Sequence, residues 1–157
     1  MYEKIITHND FDGLASAAIC SFFYGIDFIQ FAGPNTITHA QISIGDLDIV
    51  CDLPYPLSCG LWFDHHAGNI EELKYRKIDP ATIPGHFDLQ PSCARVCFNF
   101  LTPLKTLPPH FADLVAEADI IDSFNYPSIE AWRRETPGKI IDAAIRVKGN
   151  LELRQKH

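Results

Sequence analysis

The chain has no cysteines spaced as Cys-x-x-Cys, no apolar run of membrane-spanning length, no basic surplus and no cluster of glycines. Each absence closes off a class of protein. The five cysteines, Cys20, Cys51, Cys59, Cys93 and Cys97, are odd in number and lack the paired spacing of a structural zinc site. Cys93 and Cys97, four apart in a helical stretch, read as small apolar core residues. Without a long apolar run there is no membrane span. Without a basic region followed by an apolar stretch at the N-terminus there is no visible signal peptide. The chain therefore reads as cytoplasmic and without membrane contact. A formal net charge of −7 argues against a broad basic face for duplex DNA. It leaves phosphate substrates open, because carboxylates that hold divalent cations become locally far less negative. Internal repeats and low-complexity tracts are also missing.

What is present suits one domain: 157 residues, 46% of them hydrophobic, are enough for a core. Patterning predicts strands over 4–8, 27–32, 47–51 and 60–63. It predicts helices over 13–24, 92–101, 110–121, 128–135 and 139–147. Apolar strands alternating with helices imply an α/β fold, a mostly parallel central sheet with helices on both faces. The first helix is expected to turn Leu14, Ala17, Ala18 and Phe22 toward the sheet and to end at Gly25. Residues 37–44 fit either a short helix or extended chain, 73–78 fit a further strand, and 83–85 fit a turn. Gly149 is expected to end the last helix.

Four clusters carry potential chemistry. The first is His8-Asn9-Asp10-Phe11-Asp12-Gly13, where the three charged side chains are spaced by two. In extended chain that spacing points them to one side, just past a strand end, where open α/β sheets place ligands. N/O donors of this kind suit Mn²⁺ or Mg²⁺. The plain alternative is that Asp10 or Asp12 merely caps the following helix. Asp52 and Asp64-His65-His66 terminate two further apolar strands, and Asp119 and Asp122 lie three apart at a helix end. A charge at a buried strand end is costly unless partnered or metal-bound, and three such ends are hard to explain structurally. Arg95 reads as a solvated helix face and Trp62 as core. Trp132, with Arg133 and Arg134, is a candidate partner or ligand surface. His39, His86 and His110 adjoin no strand-end carboxylate and read as surface.

Thr7–Ile19 (THNDFDGLASAAI), Cys51–Pro54 (CDLP), Phe63–His66 (FDHH) and Glu117–Ser123 (EADIIDS) resemble, in order, the four motifs of the DHH phosphoesterase superfamily. The exopolyphosphatase-related and RecJ-like branches are the nearest in flavour. The resemblance implies a Rossmann-like catalytic domain over residues 1–150, with 151–157 as the start of a linker. It implies two Mn²⁺ ions, Mg²⁺ being possible in their place, with His8, Asp10, Asp12, Asp52, His65 and Asp122 as ligands and Asp52 shared between the ions. His66 would contact the scissile phosphate, with Asp64 beside it as a catalytic or tautomer-fixing carboxylate. The implied activity is hydrolysis of a phosphoester or phosphoanhydride in polyphosphate, a short single-stranded oligonucleotide or a small nucleotide. A non-catalytic nucleotide- or phosphate-binding regulatory module of the same fold is the competing reading, and a phosphate-sensing scaffold a third. Family members typically carry a second, C-terminal substrate domain with a Gly-rich motif, and no stretch of residues 1–157 resembles it. The expectation is a one-sided site, low activity alone, and completion by a further domain or a second copy.

Overall fold

The computed structural model describes residues 1–155, and side chains for residues 1–147. Its centre is a parallel sheet of β1 (Lys4–His8), β2 (Ile29–Ala32), β3 (Asp48–Cys51), β4 (Leu61–Asp64) and β5 (Gly85–Phe87), in the order β2-β1-β3-β4-β5. Its helices are α1 (Phe11–Tyr24), α2 (Pro34–Thr38), α3 (Ala67–Tyr75), α4 (Cys93–Leu101), α5 (His110–Ser123), α6 (Ile129–Arg133) and α7 (Pro137–Gln155).

The strands are continuously apolar because both faces are covered. Successive side chains point to opposite faces. Ile5, Ile49, Cys51, Leu61 and Phe63 therefore join a core shared with α1, α4 and α5. Ile6, Val50 and Trp62 join a second core with Ile37 of α2, Leu73 of α3 and Ile83. This is the α/β arrangement that the strand–helix alternation predicts. The link from β3 to β4 departs from that alternation: it is a bare loop. Leu53 is fully buried there, and its carbonyl accepts from Trp62 Nε1 at 2.9 Å, which holds the crossover against the sheet without a helix.

Local expectations fail where tertiary contacts outweigh pattern. Residues 73–78 belong to helix α3 and the turn after it, not to a strand. Only Leu73 of that helix is buried, and Lys74 and Arg76 pair with Glu71 and Glu72 at helical spacing. The fifth strand, three residues long, begins at Gly85, where a turn was expected. A Cβ on Gly85 would sit 2.2 Å from the Trp62 carbonyl oxygen, so the close approach to β4 requires glycine. Helix α1 buries Phe11, Ala15, Ala17, Ile19 and Cys20, while Phe22 lies exposed and Leu14 half-buried. Of residues 37–44, open between helix and extended chain, only Ile37 and Thr38 are helical: they end helix α2, which starts at Pro34, and 39–44 form neither helix nor strand. Asp122 and Ser123 lie inside α5 and not in a break after it. Helix α7 continues through Gly149 to Gln155, and residues 156–157 lie outside the described ones. Among the described residues no helix is long and apolar enough to cross a membrane.

Candidate metal centre

The strand order 2-1-3-4-5 reverses direction between β1 and β3. Ligand crevices of open α/β sheets form at the carboxyl ends of the strands at such a switch point. His8, Asp52 and Asp64 stand at or just past the ends of β1, β3 and β4, so the topology alone brings three of the four clusters to one rim.

The β1–α1 turn is built for close approach. A Cβ on Gly13 would lie 1.9 Å from the His8 carbonyl oxygen, so no other residue fits there without moving the backbone. The Gly13 amide donates to Asp10 Oδ1 at 2.7 Å, and its carbonyl accepts from the buried Thr7 hydroxyl at 2.7 Å. Asp10 is thus the N-cap of α1. Its other oxygen, Oδ2, lies 2.8 Å from His8 Nδ1. The capping reading and the ligand reading describe different oxygens of one carboxylate.

Asp12 projects from α1 to the start of α4, where its Oδ2 and Oδ1 accept from the Cys93 and Ala94 amides, each at 2.9 Å. A helix N-terminus is a natural seat for a carboxylate. Asp52 follows β3 with a left-handed backbone, φ 59°. Asp and Asn adopt that region more readily than other non-glycine residues, and strain of this kind gathers at functional sites. The turn sets the Asp52 carboxylate between the imidazoles. Oδ2 lies 3.5 Å from His8 Nδ1, and Oδ1 lies 3.3 Å from His65 Nε2 and 3.9 Å from His66 Nδ1. His65 Nε2 is also 3.3 Å from Asp12 Oδ2 and 3.2 Å from Asp122 Oδ2. His65 Nδ1 lies 2.9 Å from the Gln90 carbonyl, which can only accept. Nδ1 therefore carries the proton, and in the neutral ring Nε2 presents its lone pair to the three carboxylates.

The remaining site candidates separate. His66 Nδ1 is 2.7 Å from Asp64 Oδ1, and Asp64 Oδ2 accepts from the His66 amide at 3.2 Å and from Asn69 Nδ2 at 2.8 Å. Asp64 is fully buried behind His66 and positions it, while the His66 side chain is nearly half exposed. Asp119 does not join the cluster. It accepts from Ser92 Oγ at 2.7 Å and from Arg95 Nε and Nη2 at 3.0 and 2.7 Å. Arg95 is thereby an α4–α5 tie and not a free surface cation. His86 stacks on Phe100 with centroids 5.4 Å apart, and Trp62 is core.

Two participants carried no signal in the linear pattern. Asp142 on α7 accepts from the Phe11 amide at 2.8 Å, and Arg146 pairs with Asp142 at 2.9 Å and reaches within 3.9 Å of Asp10 Oδ2. Their four-residue spacing could have flagged them as a helical ion pair, but not their position beside Asp10.

The donor set fits divalent cations. Both oxygens of Asp52 and Nε2 of His65 are buried without a hydrogen-bond partner, an arrangement that is costly unless something else compensates. Among the described residues, three groups at this rim have ligand atoms close enough for an ion: His8, Asp10 and Asp52; Asp12, His65 and Asp122; and Asp52, His65 and His66. Asp52 spans two of the centres. The charge balance agrees. Burial pulls the His8 imidazole down, but Asp10 and Asp52 beside it outweigh this and push it up to about 10. His65 is likewise raised against burial, by Asp12, Asp122 and Asp52. Burial raises the Asp12 carboxyl, assisted by the Asp52 charge, and burial also raises Asp52 despite its histidine neighbours. Asp10 is lowered, its His8 partner outweighing burial. Excess carboxylate charge is thus met by retained protons, which a cation of higher charge would displace. Cys20, Cys51 and Cys97 also lie close enough together to hold an ion. They are fully buried in the apolar core, the setting of small packing residues.

No family model matches the chain, and no curated protein matches it. Among solved structures, a pGpG-specific phosphodiesterase, PggH from Vibrio cholerae, is similar to it: TM-score 0.70 and 26% identity, over 90% of this chain. The chain spans 43% of that protein's length. The likeness bears out the α/β fold described above.

Proposed function

We propose that the chain is the catalytic domain of a metal-dependent phosphodiesterase acting on a small nucleotide. One observation carries this reading: the buried Asp52 carboxylate, held by a left-handed turn, has both oxygens unpartnered between facing imidazoles. The motif resemblance to the DHH phosphoesterases and the likeness to a pGpG-specific enzyme support it.

His8, Asp10, Asp12, Asp52, His65 and Asp122 would hold the ions. Divalent ions bound there, Mn²⁺ by the resemblance, supply Lewis-acid charge against the phosphate and lower the pKa of a water. The chain's own residues do the rest. Asp12 is held by two amides and His65 by the Gln90 carbonyl, so both are oriented before a substrate arrives. Asp64, itself held by Asn69, orients His66 through Nδ1. The hydrogen bond to Asp64 raises the His66 pKa and outweighs burial. The protonated ring can then donate from Nε2 toward a phosphoryl oxygen, a charge-assisted bond of the kind that stabilises developing negative charge. Arg146 stands at the rim beside Asp10, placed to orient a second phosphate. By the same reading residues 1–150 form one side of a cleft, which a further domain or a second copy completes.

The test is a substrate panel of pGpG, other short oligonucleotides, polyphosphate and an aryl phosphodiester, assayed with Mn²⁺ and after chelation. Metal-dependent hydrolysis of pGpG is the expected result. Unaltered hydrolysis after all metal is removed would overturn the mechanism. Hydrolysis of polyphosphate alone would overturn the substrate class. Equal kcat/KM for this chain and a longer natural form would show that no second domain is needed.

A further inference from the structure

Two residues beyond Asp122 the chain changes character. Phe124 caps α5 in the left-handed region, φ 56°, a conformation that is an outlier for a bulky side chain. The turn throws its ring outward, to 66% exposure. Tyr126 meets it edge-on, with centroids 5.3 Å apart and planes at 86°, and Trp132 from α6 stands 6.2 Å away at 64°. With Ser128 and Ile129 these rings line a groove of about 440 Å³, within the usual size of small-molecule sites.

The groove is braced. Lys139 of α7 lies over the Tyr126 ring at 4.5 Å and donates to the carbonyls of Ala131, Trp132 and Arg134, closing the end of α6. The rear of Tyr126 is therefore covered, while Phe124 and Trp132 are open to a planar guest. Ser128 Oγ accepts from the Ala131 amide and keeps its own proton to donate.

Two short stretches of chain tie the groove to the cluster. Phe124 can lie no further than roughly 7 Å along the backbone from Asp122. Lys139 stands two helical turns, about 10 Å, from Arg146 at the Asp10 edge. A nucleotide whose phosphate sat at the carboxylate–imidazole cluster would have to extend its base along one of these stretches to meet the rings.

We infer that this groove binds the nucleobase of the substrate, stacking it on Phe124 and Trp132. The inference rests on the phosphodiesterase reading for its substrate, but not for its binding test. Every base has a π-face, and loss of one stacking ring weakens binding by roughly tenfold.

The chain has two tryptophans, and Trp62 is buried, so fluorescence quenching reports Trp132. The experiment titrates the chain with GMP and with ribose 5-phosphate, which has the phosphate without the base. Phe124→Asn, which keeps the left-handed turn, and Trp132→Phe, which keeps a ring, are titrated alongside Trp132→Ala, with calorimetry where the reporter is removed. GMP should bind at least tenfold more tightly than ribose 5-phosphate. Phe124→Asn and Trp132→Ala should erase that preference, and Trp132→Phe should largely keep it. Equal affinities for the two probes, or an undiminished preference in both ring-deleting variants, overturns the inference. So does loss of ribose 5-phosphate binding in those variants, since the groove would then serve the phosphate or the fold. If GMP is preferred but neither this chain nor a longer natural form hydrolyses a phosphodiester with Mn²⁺, the phosphodiesterase reading fails and the base site stands.

Discussion

At the scale of single residues, Asp52 is the strictest case. Its conformation admits Asn, its burial admits little else, and its two oxygens face two groups of donors. Asp52→Asn is expected to abolish turnover with little loss of fold in chelator, because burial already disfavours the charged form of the carboxylate it removes. Thermal melts and activity assays on the same sample check this; retained activity would remove Asp52 from the centre. Asp119 and Asp122 divide along the geometry. Asp122→Asn should weaken Mn²⁺ binding with little change in stability, since its carboxylate sits 3.2 Å from His65 Nε2. Asp119→Asn should leave metal affinity near wild type and cost stability, by about 1–3 kcal/mol for a charge-assisted tie. Calorimetric Mn²⁺ titrations of both variants settle the order. Three of the clusters were legible because their charges follow apolar strands that all end at the same rim of the sheet. Asp142, Arg146 and the Gln90 carbonyl were not legible, because their roles exist only once α7 and the loop before α4 pack against that edge.

At the scale of elements, the β1–α1 turn decides whether the cluster forms. A methyl group at position 13 would meet backbone, which cannot swing away as a side chain can. Gly13→Ala is therefore expected to destabilise by about 1–3 kcal/mol and to reduce activity beyond what the lost stability explains. Full activity at a lowered melting temperature would show that the turn matters for folding alone. Strands β1, β3 and β4 and helices α1, α4 and α5 could be read from apolar runs bounded by caps and turns. Strand β5 and helix α3 could not. The strand has three residues and depends on a glycine against Trp62, while the helix shows one buried side chain and so presents almost no periodic face.

For the whole molecule, the cluster makes stability depend on pH and metal together. His8 and His65 are raised in the folded, metal-free chain, and so are Asp12 and Asp52. A raised folded pKa gives stability that is complete below the unfolded value and lost as pH climbs through the folded one. Metal-free protein should therefore lose stability from about pH 6.5 toward pH 10, the window of His8. Bound ions replace those protons, so Mn²⁺ should flatten the profile and release protons at pH 7. At a hundredfold excess over its Kd, a ligand adds about 2.7 kcal/mol, or roughly 5–11 °C in melting temperature for a chain of this size. Melting curves across pH, with Mn²⁺ and with chelator, test both statements. An unchanged slope with saturating metal would contradict them.

The buried cysteines provide a gauge of how often the fold opens. Cys20, Cys51, Cys93 and Cys97 are wholly enclosed, while Cys59 is half-buried, its thiol pushed up to about 12 chiefly by burial. A thiol reagent reaches the four enclosed sulfurs only through an opening of the core, so their labelling rate counts those openings. Cys51 adjoins Asp52 in sequence, and the Cys93 amide holds Asp12. A reagent that captures these sulfurs thus records the lifetime of the native site itself, in undenatured protein and without a substrate.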